Sequence, residues 1–198
     1  DLHSGGLRPR QMCIRGSPPL TAFGGPVLSA PLHASTGAMI HLVGSGPLGA
    51  EVAALADPAD LLGSVLDKAR DLGLTICLEP LSSAETNFVN TVAEGMKMVR
   101  QLNHPSLKIH LDVKAMCSED RPVGDVIRSV TADEIGHFHV NDANLYGPGM
   151  GDVDYAPIAE AIKEVGWDKW LSVEVFKYDP DPETIARQSI DYLRRFWP

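Results

Sequence analysis

The stretch that decides the fold runs from residue 107 to residue 140 and reads LKIHLDVKAMCSEDRPVGDVIRSVTADEIGHFHV. It begins and ends with short apolar runs, 107–113 and 137–140, which are typical of buried strands. Between them, residues 123–130 carry apolar side chains at helical spacing. A strand, a helix and a second strand in this order predict a right-handed βαβ unit with parallel strands.

The same alternation extends in both directions along the chain. The further predicted elements are strands over 26–32, 75–78 and 171–176 and helices over 58–72, 89–102, 155–165 and 182–196. Five strands alternating with helices predict an α/β fold with a parallel sheet. Periodicity alone leaves open whether such a sheet is doubly wound or forms a (β/α)8 barrel.

The beginning of the chain lacks this pattern. Glycines and prolines interrupt residues 1–23, and residues 33–56 are rich in glycine, alanine and serine, which predicts a long loop with some helix. We therefore divide the chain into an unpatterned segment, 1–23, and one α/β domain, 24–198. A (β/α)8 barrel needs about 250 residues. About five C-terminal βα units then predict an incomplete TIM barrel, with the N-terminal units missing or replaced and with two open sheet edges that a second copy of the chain could cover.

Composition narrows the functional classes. The formal net charge is −9, and no basic stripe occurs, which disfavours a nucleic-acid partner. No apolar run reaches the length of about 18 residues that a membrane span needs. Three cysteines, Cys13, Cys77 and Cys117, show no CxxC spacing, which fits a reducing cytoplasm. Cys77 lies in an apolar run, and we predict that its thiol is buried.

Four polar residues end four successive predicted strands: Glu79 after TICL, Asp112 in KIHLDV, His139 in GHFHVND and Glu174 in LSVEVF. In parallel α/β folds, ligand sites lie at the carboxyl ends of the strands. Adjacent strand ends would bring these four side chains to one point. A single acidic residue at a strand end is ordinarily a helix cap or a solvated loop residue, but four residues of ligand type in register favour a site.

Three carboxylates around one point repel one another unless a cation lies among them. Three carboxylates and one imidazole suit a divalent ion such as Mn²⁺, Mg²⁺ or Co²⁺, with Zn²⁺ possible. Such a set leaves coordination positions for adjacent hydroxyl and carbonyl oxygens of a ketose. The ion would polarise the carbonyl, and a nearby carboxylate could remove a proton from the adjacent carbon.

Four motifs resemble those of the sugar phosphate isomerase/epimerase family: EPLSSAETNFVNT (79–91), LDVKAM (111–116), HFHVNDANLYGPGMGDVDY (137–155) and LSVEVF (171–176). This is the xylose isomerase-like TIM barrel group, which includes ketose 3-epimerases and hydroxypyruvate isomerases and is related to endonuclease IV. The resemblance implies that Glu79, Asp112, His139 and Glu174 bind one divalent metal. It also implies that the two glutamates form the acid/base pair.

The residues predicted to contact the substrate are of several types. The resemblance implies that Glu85 contacts a substrate hydroxyl, and we expect Lys114 to meet an anionic group or to be a structural lysine. The H-x-N-D pattern falls on His139. His137 shares its face two residues earlier, so we place it on the substrate side or in the core, and His110 also fits the barrel interior.

Two departures from the ketose 3-epimerase pattern bear on the reaction. Ala115 stands where those enzymes usually carry a histidine, and the loop ANLYGPG (143–149) has no arginine. We therefore expect a metal-dependent sugar isomerase or epimerase acting on a small ketose or sugar derivative. A non-catalytic or fragmentary metal- or sugar-binding relative is the alternative. A phosphodiesterase like endonuclease IV is disfavoured by the charge and by the single H-x-N-D histidine.

Overall fold

The computed structural model of the protein describes residues 11–13, 39–42 and 58–197. The strands are β1 Gln11–Cys13, β2 Met39–Leu42, β3 Thr75–Leu78, β4 Leu107–Asp112, β5 Ile135–Val140 and β6 Ser172–Glu174. The helices are α1 Pro58–Asp71, α2 Val92–Leu102, α3 Val113–Met116, α4 Val123–Ile127, α5 Tyr155–Glu164 and α6 Pro182–Leu193.

The strands form one sheet in the order β1-β6-β5-β4-β3-β2. Strands β2 to β6 are mutually parallel, whereas β1 runs antiparallel to β6. Each parallel strand is followed by helix before the next strand begins. The described residues thus contain five βα units, four of which begin at strands that the alternation predicted, with all parallel strands ending at the same edge of the sheet.

The first of these units differs from the prediction. Its strand is β2, which lies within the segment 33–56 that we predicted as a long loop, while the predicted strand 26–32 lies outside the described residues. Strand β1 falls inside the segment 1–23 that we predicted to be unpatterned. Strands of three and four residues have too few side chains to show an alternation of apolar and polar residues. They are identified by their hydrogen-bonded pairing with β6 and β3.

Capping residues explain where several elements begin and end. Helix α2 begins at Val92 rather than at residue 89 because Thr91 caps it, with Glu94 completing a capping box. Strand β4 ends at Asp112, one residue earlier than predicted, because the Asp112 side chain accepts a hydrogen bond from the Ala115 amide and caps α3. The ligand-type carboxylate of β4 is thereby fixed at the boundary between strand and helix.

The core lies between the strands and the helices that follow them. Buried apolar side chains from every parallel strand of the 58–197 region pack there, including Ile76, Ile109, Leu111, Phe138 and Val173. Cys77 is fully buried, as predicted, and burial raises the pKa of its thiol to about 12. In the described part of the chain, no helix is both long and apolar enough to cross a bilayer.

Candidate metal centre

The four candidate ligands come from four neighbouring strands. Glu79 directly follows β3, Asp112 is the last residue of β4, His139 lies next to the end of β5, and Glu174 ends β6. Because these strands are parallel and adjacent, their carboxyl ends meet at one edge. We call these four residues the metal floor.

The metal floor is centred on the imidazole of His139. Its Nδ1 lies 3.2 Å from Glu174 Oε2 and 3.6 Å from both Glu79 Oε1 and Asp112 Oδ2. One donor atom from each of the four residues lies within 4.8 Å of the others. The structure therefore brings together all four residues that the sequence predicted as ligands.

Burial differs across the metal floor. The side chains of Asp112 and His139 are each 1% exposed, that of Glu79 is 6% exposed, and that of Glu174 is 20% exposed. A molecule entering from solvent would therefore meet Glu174 first. The other three groups are held where the dielectric constant is low and charges interact strongly.

The pKa values show how three carboxylates share this space. Burial raises the pKa of Glu79 to about 7, although hydrogen bonding and the charge of His139 oppose the shift. Burial would lower the pKa of His139, but Glu174, Asp112 and Glu79 together raise it well above its ordinary value. The metal-free protein thus favours a proton on His139 among the carboxylates.

Burial alone would raise the pKa of Asp112, but its hydrogen-bond partners have the larger, opposite effect. The imidazole of His139, the Ala115 amide and the side chain of Asn141 hold the pKa of Asp112 below its ordinary value. This carboxylate therefore stays ionised below about pH 7, where the Glu79 carboxyl takes up a proton. A buried group of three carboxylates and one imidazole is chemically suited to a divalent cation, which would replace the proton as the neutralising charge.

Asn141 is a supporting residue to which the sequence analysis gave no role. Its Nδ2 donates to Asp112 Oδ2 at 2.7 Å, and its Oδ1 accepts from the Lys114 amide at 2.7 Å. Its backbone carbonyl accepts from the buried hydroxyl of Tyr155 at 2.8 Å. The asparagine that follows His139 by two positions was the available signal, and it orients a candidate ligand in the manner of outer partners at metal sites.

Three residues form what we call the rim: Glu85, Lys114 and Phe176. Each lies on a loop or short helix directly after a strand of the metal floor. The Lys114 ammonium lies 2.6 Å from Glu85 Oε1 and 4.5 Å from the centre of the Phe176 ring. Burial opposes ionisation of Glu85, but Lys114 and Ser82 lower its pKa. Predicted substrate residues Glu85 and Lys114 therefore contact each other.

The third predicted substrate residue lies elsewhere. His137 is buried and packs edge to face against His110 and His139, with ring centres 5.2 Å and 5.1 Å apart. The rings of His110 and His139 are closer, at 4.1 Å. His110 and His137 thus form a buried histidine cluster with His139 of the metal floor, and the substrate role of His137 stays a prediction.

The loop that follows β5 also connects to the rim. The left-handed Leu145, with φ of 78°, accepts hydrogen bonds at its carbonyl from the amides of Phe176 and Lys177. The Asp142 carboxylate accepts hydrogen bonds from the backbone amides of Asn144 and Val153, each at 3.4 Å. The segment that lacks the expected arginine thus fixes the backbone of Phe176 beside Glu174.

Known proteins share this arrangement of strands and helices. The family model described as xylose isomerase-like TIM barrel matches residues 28–196. The chain belongs to this family. The match confirms the resemblance that the motifs indicated and the TIM-barrel fold class, and the five parallel units show the barrel to be incomplete within the described residues.

Relatives in this xylose isomerase-like family include ketose epimerases. The chain is 32% identical over 148 residues to the ketose 3-epimerase of Arthrobacter globiformis, covering 75% of this chain and 50% of that protein. It is 31% identical over 115 residues to the D-psicose 3-epimerase of Agrobacterium fabrum, covering 58% and 39%. The chain therefore spans about half, or less, of the length of these curated relatives.

A solved structure supports the same assignment. The D-psicose 3-epimerase of Clostridium cellulolyticum H10, crystallised with D-tagatose, matches with a TM-score of 0.64 at 25% identity. The match covers 70% of this chain and 54% of that one.

Proposed function

We propose that the chain is a metal-dependent sugar isomerase or epimerase that moves a proton next to the carbonyl of a small ketose or sugar derivative. The observation that carries the proposal is the metal floor, whose four donor atoms lie within 4.8 Å of one another at four strand ends. The ketose 3-epimerases among its relatives support the class of reaction. Mn²⁺, Mg²⁺ or Co²⁺ fits the oxygen-rich donor set best, with Zn²⁺ as a further candidate.

When bound, the ion would polarise the carbonyl of the sugar and stabilise negative charge on its oxygen. Glu79 and Glu174 come from the first and last of the four strands and can reach the sugar from two sides. One carboxylate would take the proton from the carbon beside the carbonyl, and the other, as the acid, would return a proton to the opposite face. The partial exposure of Glu174 suits the group that first meets the substrate.

The rim would hold the rest of the sugar. Glu85 can accept from a sugar hydroxyl, Lys114 can donate to one, and Phe176 offers an apolar surface that is 44% exposed. His137 is proposed as a lower wall of the same space. We further propose a cytoplasmic protein with no nucleic-acid or membrane partner, in which a second copy of the chain covers an open sheet edge.

The test is turnover of a panel of ketoses by the metal-free chain reloaded with Mn²⁺. We expect conversion that depends on the ion and that falls by roughly 10² to 10⁴ in Glu174→Gln, because the proton-transfer group is lost. Glu183→Gln, on the exposed start of α6, is the matched control and should keep wild-type turnover. Equal rates for Glu174→Gln and the wild type would contradict the proposal.

A second candidate function is a metal- or sugar-binding relative without turnover. Ala115 in place of the expected histidine and the loop ANLYGPG (143–149), which has no arginine, favour it. Calorimetric binding of Mn²⁺ and a ketose with no conversion of any sugar in the panel would select this function over the first.

A further inference from the structure

The buried histidine cluster and Glu79 together contain a second set of metal-ligating atoms. Glu79, His110 and His139 each offer one donor atom, these atoms lie within 4.8 Å of one another, and all three residues are buried. His110 is fully buried and lies two residues before Asp112 on the same face of β4. The metal floor as described above makes no use of His110.

We infer that this set is an alternative, nitrogen-rich metal position that takes Zn²⁺ and excludes the ion of the metal floor. The inference rests on the proposed metal-dependent function, because Glu79 and His139 belong to both sets. It does not require that any sugar be converted.

The distances suit a small four-coordinate ion. Glu79 Oε1 lies 3.8 Å from His110 Nε2 and 3.6 Å from His139 Nδ1. Ligands placed around tetrahedral Zn²⁺ at its usual bond lengths are about 3.3 Å apart. Side-chain shifts of about half an ångström or less would therefore close the two Glu79 contacts around an ion. The donor atoms of His110 and His139 already lie within 4.8 Å of each other.

The two sets differ in the chemistry that they offer. The alternative position has two imidazoles and one carboxylate, whereas the metal floor has one imidazole and three carboxylates. Imidazole-rich, four-coordinate sites suit Zn²⁺, and oxygen-rich sites with more ligands suit Mn²⁺ and Mg²⁺. The structure thus provides neighbouring positions that sort two classes of ion.

The two positions cannot be filled together. The same Glu79 oxygen and the same His139 nitrogen face both sets, so each chain holds one ion. His110 is fully buried, whereas Glu174 is 20% exposed and is not a member of the alternative set. Zn²⁺ at this depth would therefore displace the activating ion without reaching the substrate.

The test uses two variants, each of which damages one set alone. His110→Phe removes the ligand specific to the alternative position, and Asp112→Asn removes one specific to the metal floor. Calorimetry on the full chain should show Zn²⁺ affinity falling on the order of 100-fold in His110→Phe, with Mn²⁺ affinity within about twofold of wild type. Asp112→Asn should show the opposite preference. Equal losses for both ions in His110→Phe would overturn the inference, because a residue that merely supports Glu79 would act on both.

A measurement on the wild type keeps the inference testable if His110→Phe fails to fold. X-ray absorption of the chain loaded with one equivalent of Zn²⁺ should show two bound imidazoles, and one bound imidazole would overturn the inference. Neither experiment measures turnover. Failure of the proposed isomerase activity would therefore leave these results standing, and selective activation by Mn²⁺ would survive the loss of the Zn²⁺ position.

Discussion

The metal floor and the rim are built in different ways. Residues of the metal floor lie at the ends of hydrogen-bonded strands, and Asp112 and His139 are almost completely buried. Rim residues lie on the segments after those strands, and Phe176 is 44% exposed. The metal floor has the ligand types that the motif resemblance implies, while Ala115 and the loop ANLYGPG depart from the ketose 3-epimerase pattern. The candidate metal ligands thus follow the family pattern more closely than the residues around them do.

This difference predicts that support for the metal floor and support for the rim can be separated. Asn141→Leu removes the amide that holds Asp112 Oδ2 at 2.7 Å. We expect Mn²⁺ affinity to fall by about 10-fold to 100-fold, because a ligand without its outer partner loses its orientation. Isothermal titration calorimetry on the metal-free protein measures this change.

The matched control removes a second amide from the loop that anchors Phe176. Asn144 donates to the Met150 carbonyl at 2.9 Å and accepts from the Tyr146 amide at 3.0 Å. Asn144→Leu should leave Mn²⁺ affinity within about twofold of wild type. If both variants lost the metal equally, the metal floor and the rim would not be independent.

The raised pKa values of His139 and Glu79 predict that metal binding depends on pH. In the metal-free protein the pKa of His139 is raised well above its ordinary value, and burial raises the pKa of Glu79 to about 7. Because ligands bind in their deprotonated forms, the ion must displace these protons. Affinity should therefore fall as the pH falls, by about tenfold per pH unit for each proton released.

Calorimetry in two buffers with different ionisation heats counts those protons. We expect about one proton released per ion above pH 7 and a larger number below it, where Glu79 also carries a proton. Affinity that stayed constant from about pH 6 to pH 8 would show that the site holds no such protons.

The sequence predicted that the four residues of the metal floor lie at one edge of the sheet, because apolar runs mark where the strands end. Apolar runs located β3 to β6, and the residues at their carboxyl ends were of ligand type. The same reasoning missed β2, because MIHL is only four residues long and lies in a segment rich in glycine, alanine and serine. A strand this short is identified by its pairing with a neighbouring strand, here β3, and not by its own sequence.

Other features depend on register and on the course of loops. The pairing of β4 with β5 shifts between Ile109 and His110, which places His110 opposite His137. A Cβ at Gly136 would lie 2.8 Å from Lys108 Cβ, so the shift needs a glycine there. The contact between Glu85 and Lys114 joins residues that are 29 positions apart. A pattern of neighbouring residues in the sequence cannot predict a contact across such a separation.

The rim should affect substrate binding and leave the metal in place. Lys114→Met keeps the length of the side chain but removes the charge that contacts Glu85 and lies over Phe176. We expect the KM for a ketose substrate to rise about tenfold, which corresponds to one lost contact to a charged group, with little change in Mn²⁺ affinity. Steady-state kinetics and calorimetry separate the two quantities.

Lys177→Met is the control for this variant. Lys177 also lies over an aromatic ring, that of Tyr146, at 5.1 Å. Its replacement should leave KM within about twofold of wild type, because this lysine lies outside the rim. A larger rise in KM for Lys177→Met than for Lys114→Met would mean that the rim has been assigned to the wrong lysine.

The smallest expected effect tests how far the metal floor depends on distant support. Tyr155→Phe keeps the buried ring and removes the hydroxyl that donates to the Asn141 carbonyl at 2.8 Å. We expect the free energy of unfolding to fall by about 1 kcal/mol, because a buried carbonyl loses its donor. Mn²⁺ affinity should fall by about twofold or threefold, since the side chain of Asn141 still holds Asp112.

The control is Tyr178→Phe, which removes a hydroxyl that donates to the Val175 carbonyl at 3.2 Å. This variant should leave Mn²⁺ affinity unchanged. Denaturant melts and calorimetry on both variants give the comparison. A tenfold loss of affinity in Tyr155→Phe would extend the metal floor to the start of α5, whereas an equal effect in both variants would indicate a general loss of stability.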